Sequence, residues 1–162
     1  MKFKTVIILI LSATLLLCCC SFTPTDTSIS FYYRQSKLDY DSPQGALGAE
    51  SRRDLPDRLA YTQIFNKYLE GPRSSNLESP FPSDLKLIDL TIDQQTAHIT
   101  LSSSLSGLTG ADLTICCVCI AMTVKNITGC AVVQIKAQDA MLENREAIII
   151  DTNTIQISDL TP

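Results

Sequence analysis

Asp84-Leu-Lys-Leu-Ile-Asp-Leu-Thr-Ile-Asp-Gln-Gln-Thr-Ala-His-Ile-Thr-Leu101 reads as a β-hairpin. In the first arm, Asp84 to Ile92, the side chains of Ile88, Leu90 and Ile92 share one face, while Asp89 and Thr91 take the other. Asp93-Gln94-Gln95-Thr96 supplies the turn, and Ala97, Ile99 and Leu101 then alternate with His98 and Thr100. A period of two marks strands buried on one side only. Something apolar must therefore cover that side, and the flanking segments provide it.

Upstream, Asp54 is placed to cap a helix, Pro56 suits its first turn, and Asp57 adds charge favourable to the N-terminal dipole. Tyr61, Ile64, Phe65 and Tyr68 recur at i, i+3, i+4 and i+7, with Leu69 beside them, until Gly71-Pro72 ends the pattern. A loop runs from Ser74 through Pro82. Downstream of the hairpin, the serine- and glycine-rich stretch Ser102 to Gly110 leads into a second helix from Ala111 to Asn126. Leu113, Cys116, Cys117, Ile120, Ala121 and Val124 form its broad apolar face, and Ile127-Thr128-Gly129 closes it.

Further strands are read at Ser28–Arg34, Leu47–Arg53, Cys130–Lys136 and Glu146–Asp151, with a last one at Thr154–Ile157. Leu38 to Gly48 is a turn-rich connection. Strands and helices so mixed predict an α+β two-layer sandwich, a mainly antiparallel mixed sheet with two helices packed on one face.

The N-terminus is of a different character. Lys2 and Lys4 precede an apolar run from Val6 to Leu17, too short for the roughly 20 apolar residues of a spanning helix and suited to a signal peptide. Cys18, Cys19, Cys20 and Ser21 follow. A bacterial lipoprotein signal ends in Leu, two small or apolar residues, and the cysteine that receives diacylglycerol. Leu17-Cys18-Cys19-Cys20 fits this best, making Cys20 the expected lipidation site and Cys19 the second choice; for Cys18, Leu17 would crowd the cleavage site. Residues 1–19 are thus read as signal peptide, 20–27 as a linker and 28–162 as one domain. Two or more acyl chains hold a protein firmly to a membrane, so the domain would sit on the outer face of the cell membrane.

Loss of Lys2 and Lys4 moves the formal charge from −4 to −6. An acidic surface argues against nucleic acid and against polybasic attraction to lipid. No second apolar run reads as long enough to span, leaving the lipid as the expected membrane contact.

Few residues carry a chemical signal. Cys116, Cys117 and Cys119 stand at i, i+1 and i+3 and cannot converge on one zinc; no Cys-x-x-Cys or histidine cluster completes a ligand set. Cys116 and Cys117 are read as core, Cys119 as partly exposed, and a bridge from the helix to Cys130 is open to an exported chain. His98, the single histidine, falls on the solvent side of its strand, with no Gly-x-Ser-x-Gly nearby. Asp39 and Asp41 sit in a turn, and no carboxylate pair is singled out for glycan cleavage. Tyr32, Tyr33 and Tyr61 would suit a glycan groove, although aromatics at such spacing favour a core. No catalytic, metal-binding or cofactor-binding residue is assigned.

Several ordered blocks together resemble a known family. Phe31-Tyr32-Tyr33 comes first, followed by a helix ending Tyr68-Leu69-Glu70-Gly71-Pro72 and then by Ser79-Pro80-Phe81-Pro82. Ala97-His98-Ile99-Thr100-Leu101-Ser102 follows, then Met122-Thr123-Val124-Lys125-Asn126-Ile127-Thr128-Gly129 and Val132-Val133-Gln134-Ile135. Over roughly Ile29 to Ile150 this order is similar to the GerMN domain of sporulation and spore germination. Gln94-Gln95 in place of a turn glycine, His98 in place of a smaller residue, and Cys130 in place of valine depart from the family pattern.

The resemblance implies an α+β module of Gram-positive envelope lipoproteins, often from spore formers, with no catalytic residues of its own; some relatives are joined to wall amidases. The expected role is binding or assembly beside envelope proteins or peptidoglycan. The alternatives are a cell-wall hydrolase, which needs a Cys–His or carboxylate pair in a cleft, and a thiol-redox lipoprotein.

Overall fold

The computed structural model describes residues 28–37, 45–56 and 59–155. The expected signal peptide, Cys20, the linker, Asp39, Asp41, Asp57 and the end of the last expected strand lie outside these residues.

Among the described residues, seven strands and two α-helices form an α+β fold: β1 (Ile29–Gln35), β2 (Leu47–Arg52), α1 (Tyr61–Leu69), β3 (Leu77–Glu78), β4 (Leu87–Asp93), β5 (Thr96–Leu101), α2 (Gly110–Thr128), β6 (Val132–Ala137) and β7 (Ile148–Asp151). A 3₁₀ turn, Ser103–Gly107, buries Leu105 ahead of α2. The strands divide between two sheets, β2-β1-β3 and β4-β5-β6-β7, where the sequence predicted one. In the larger sheet β5 and β6 are parallel, joined by the α2 crossover, and the other pairs are antiparallel.

The reason for the division lies on one edge of β1. β2 occupies its other edge from Ile29 to Arg34, while β3 covers only Arg34 and Gln35. Along the remainder, the Ser30 N–H donates to Asn126 Oδ1 at 2.7 Å and the Tyr32 N–H to Thr123 Oγ1 at 2.9 Å. The Tyr68 hydroxyl donates to the Tyr32 carbonyl at 2.9 Å. Side chains of the two helices thus satisfy a strand edge that would otherwise recruit another strand. Helix α2 contacts both sheets, chiefly through β1 and also through β6.

By length and composition α2 is long and apolar enough to cross a membrane, contrary to the reading that no such second run exists. It is instead a core helix, packed against β1, β6 and α1, and it buries Leu113, Cys116, Cys119, Ile120 and Val124. That two-sided packing also corrects the expectation for Cys119, which is fully buried. The helix ends on Gly129, at φ +77°, whose N–H donates to the Lys125 carbonyl.

Helix α1 starts later than predicted. Its N-cap is Ala60, whose N–H donates to the Gln63 side chain, and just ahead of it the Leu59 N–H bonds to the Pro56 carbonyl. Asp54 is not the N-cap of this helix; its carboxylate pairs with Arg73 at 2.7 Å. Ile64, Phe65 and Tyr68 face inward, while Tyr61 is exposed. Phe31, Tyr33, Phe65, Tyr68 and Phe81 form one aromatic cluster.

The hairpin turn places Gln94 at φ +53°, a region where an L-residue is strained by about 1–2 kcal/mol. Glycine relieves that strain but adds unfolded-state entropy. Gln94→Gly is therefore expected to raise the unfolding free energy by roughly 0.5–1 kcal/mol, read as an increased urea midpoint at unchanged slope.

Candidate functional surface

The four-stranded sheet has one covered face and one open face. Leu90, Ile99 and Ile135 point toward the helices and are buried, as the alternation requires. On the other face the register aligns Thr91, His98, Gln134 and Ile149 across all four strands. The His98 ring Nδ1 pairs with Gln134 Oε1. Asp89, Asp93, Lys136 and Asp151 stand exposed on or beside this face.

This arrangement keeps the histidine away from the α2 thiols. Cys116 and Cys117 belong to the core that the covered face shares, and these two, Cys119 and Cys130 are buried free thiols. The Cys–His pair that a hydrolase would use is not assembled by His98 and α2. Burial, with Glu143 adding to it, pushes the Cys117 thiol up to about 12; burial, with Cys117 adding to it, does the same for Cys119. Thiols so protonated and enclosed are poor nucleophiles. The native protein is expected to leave all four described cysteines unmodified by a thiol reagent at pH 8, and to expose them together in urea.

Among the described residues no group of three or more His, Cys, Asp or Glu could hold a metal ion. The three tyrosines weighed for a glycan groove do not converge. Tyr33 is in the core, with its hydroxyl donating to the Tyr68 carbonyl at 3.0 Å; Tyr32 is half-buried, and Tyr61 projects from α1. Shallow depressions among the described residues include these two. One, about 390 Å³, is bordered by Lys136, Asp139, Met141 and Glu146; the other, about 320 Å³, by Gln35, Lys37 and Asn76.

Residues 30–143 match the Germane family, described as sporulation and spore germination. The chain belongs to this family. Among solved structures, the first GerMN domain of the sporulation protein GerM from Bacillus subtilis superposes with a TM-score of 0.57 at 16% identity, over 76% of this chain and 94% of that one. The tandem GerMN domains of the same protein give 0.53 at 17% identity, over 75% of this chain and 43% of that one. At such identities the likeness concerns the fold. No curated protein matches the chain in sequence.

Within this Germane domain, the Leu69-Glu70-Gly71-Pro72 helix end is held by an ion pair that sequence reasoning passed over. Glu50 and Arg52, two apart on β2 and so on one face, pair at 2.6 Å with side chains 9% and 3% exposed. Arg52 also donates to the Gly71 carbonyl at 2.9 Å and lies 5.3 Å over the Phe31 ring. The second Glu50 oxygen accepts the N–H groups of Arg73 and Ser74. Burial would raise the Glu50 carboxyl, but the Ser74 N–H, the Arg52 guanidinium and the Arg73 N–H outweigh it and hold it below its ordinary value.

A second missed contact fixes α2. The β6–β7 connection turns through Glu143 and Asn144, both at positive φ, and Glu143 Oε1 accepts the Gly110 N–H at 2.6 Å. A carboxylate thus caps a helix whose N-cap residue, Thr109, makes no side-chain capping bond.

Proposed function

We propose that the chain is a lipid-anchored, non-catalytic binding or assembly module on the outer face of a Gram-positive cell membrane, acting in sporulation or germination. The match of residues 30–143 to the Germane family carries this reading. Two further features support it. The sequence up to Cys20 has the form of a lipoprotein signal, and the histidine and thiols a Cys–His hydrolase would use are differently placed: His98 is on the open face paired with Gln134, while Cys119 and Cys130 are buried. Tethering concentrates such a module beside envelope proteins or peptidoglycan, as a linker does for a second binding event.

The experiment is crosslinking in intact sporulating cells, with recovery of the chain from envelopes and comparison of wild type with Cys20→Ala. A protein or peptidoglycan adduct that depends on Cys20 supports the reading. Equal adducts from both proteins remove the role of the anchor. Wall-cleaving activity in the purified chain would replace the reading with a hydrolase.

A further inference from the structure

The two edges of the four-stranded sheet differ. Strand β4 is blunted: α1 packs against it, its pairing shifts at Ile88, and Asp89 and Asp93 stand exposed along it. Strand β7 is the other edge, with no further strand beside it among the described residues. The Thr152 N–H bonds to the Ala131 carbonyl across β6, so the backbone groups of Ile150 and Ile148 also face β6. Those of Ile149 point the other way, outward. The Ile149 side chain is 67% exposed on the open face, the most exposed large apolar group described. Met141, 57% exposed, borders the depression beside Lys136 and Glu146 at the neighbouring end of β6.

We infer that the β7 edge, with Ile149 and the depression beside Met141, accepts an extended, basic-flanked segment of a partner protein as an added strand; this rests on the binding-module reading. Main-chain bonds to the outward N–H and C=O of Ile149 supply affinity, and side chains of the added strand cover Ile149 and enter the depression. Charge selects the partner. Glu146 and Asp151 flank Ile149, Asp139 borders the depression, and the whole chain is acidic, with Lys136 and Arg145 as the local counter-charges. A second copy of this chain is disfavoured, since its β7 edge carries the same acidic flanks, Glu146 and Asp151.

The probe is a fluorescent peptide, Lys-Thr-Val-Thr-Val-Thr-Lys, titrated by anisotropy into the full chain in detergent, beside a version with Glu at both ends. The expected result is at least about tenfold tighter binding of the lysine peptide, weakened by salt. Ile149→Pro removes an outward N–H and the exposed isoleucine side chain but no bond to β6, so the variant keeps its melting temperature and loses binding about tenfold or more. Glu146→Lys reverses the preference between the peptides. Equal binding by Ile149→Pro, or no preference for lysine, overturns the inference. So does binding that appears only after residues 156–162 are removed, which would assign the edge to the chain's own C-terminal stretch. A chain that fails here yet forms Cys20-dependent adducts in cells loses this surface and keeps the proposed function.

Discussion

Arg52→Ala is expected to lower the unfolding free energy by about 3–5 kcal/mol, as measured by urea titration, because it leaves a buried carboxylate without its cation. Arg52 is 3% exposed and joins three things at once: Glu50, the Gly71 carbonyl and the Phe31 ring. Its removal also releases the loop after α1, which Glu50 holds through the N–H groups of Arg73 and Ser74. Arg52→Ala with Glu50→Gln should recover part of the loss, since no buried charge then stands alone.

The same pair dictates an acid dependence. The folded Glu50 carboxyl lies below its ordinary value of 4.5, so its contribution is complete above about pH 4.5 and is lost as pH falls through the lower folded value. Urea midpoints should therefore drop below pH 4.5 in the wild type. They should drop less in Glu50→Gln, which starts from lower stability at neutral pH.

Tyr68→Ala should lose a similar amount, about 3–5 kcal/mol, for a different reason. Tyr68 is fully buried, and its ring meets Phe31, Tyr33, Phe65 and Phe81 at centroid distances from 5.1 to 5.6 Å. Truncation opens a cavity where α1 packs on β1 and Phe81. Tyr68→Phe separates packing from hydrogen bonding. It keeps the ring but leaves the Tyr32 carbonyl without its donor, and should cost about 1–3 kcal/mol. Burial raises the Tyr68 phenol well above its ordinary value, so the donor persists throughout the range in which the protein can be handled. If Tyr68→Phe proved as damaging as Tyr68→Ala, the hydroxyl rather than the aromatic cluster would be the main link.

Periodic features were readable in the sequence. Ala97, Ile99 and Leu101 fall where alternation puts them, and Ile64, Phe65 and Tyr68 form the inward stripe of α1. Both patterns depend on one covered face and one wet face. Features that depend on distant partners were not readable. Thr123 and Asn126 appear as polar interruptions of a helix, and only the folded chain shows them receiving the N–H groups of β1, which is why one expected sheet is two. Strand β3, two residues long, is too short to have a period. Glu143 caps α2 from 33 residues away, a separation with no sequence signal. Glu50 and Arg52 were passed over because charged residues at alternate strand positions normally read as a solvated face, and here a loop closes over them. The candidate surface divides in the same way. His98 on the open face followed from alternation, while the outward β7 edge depends on strand order, which no local pattern encodes.

The mass of the N-terminal peptide of the mature chain, recovered from the membrane fraction of the producing cells, tests the anchored module most directly. The result predicted is a chain beginning at Cys20 and carrying a diacylglyceryl thioether, with Cys20→Ala found outside the membrane fraction or unprocessed. A mature chain that begins at another residue and carries no lipid would contradict it.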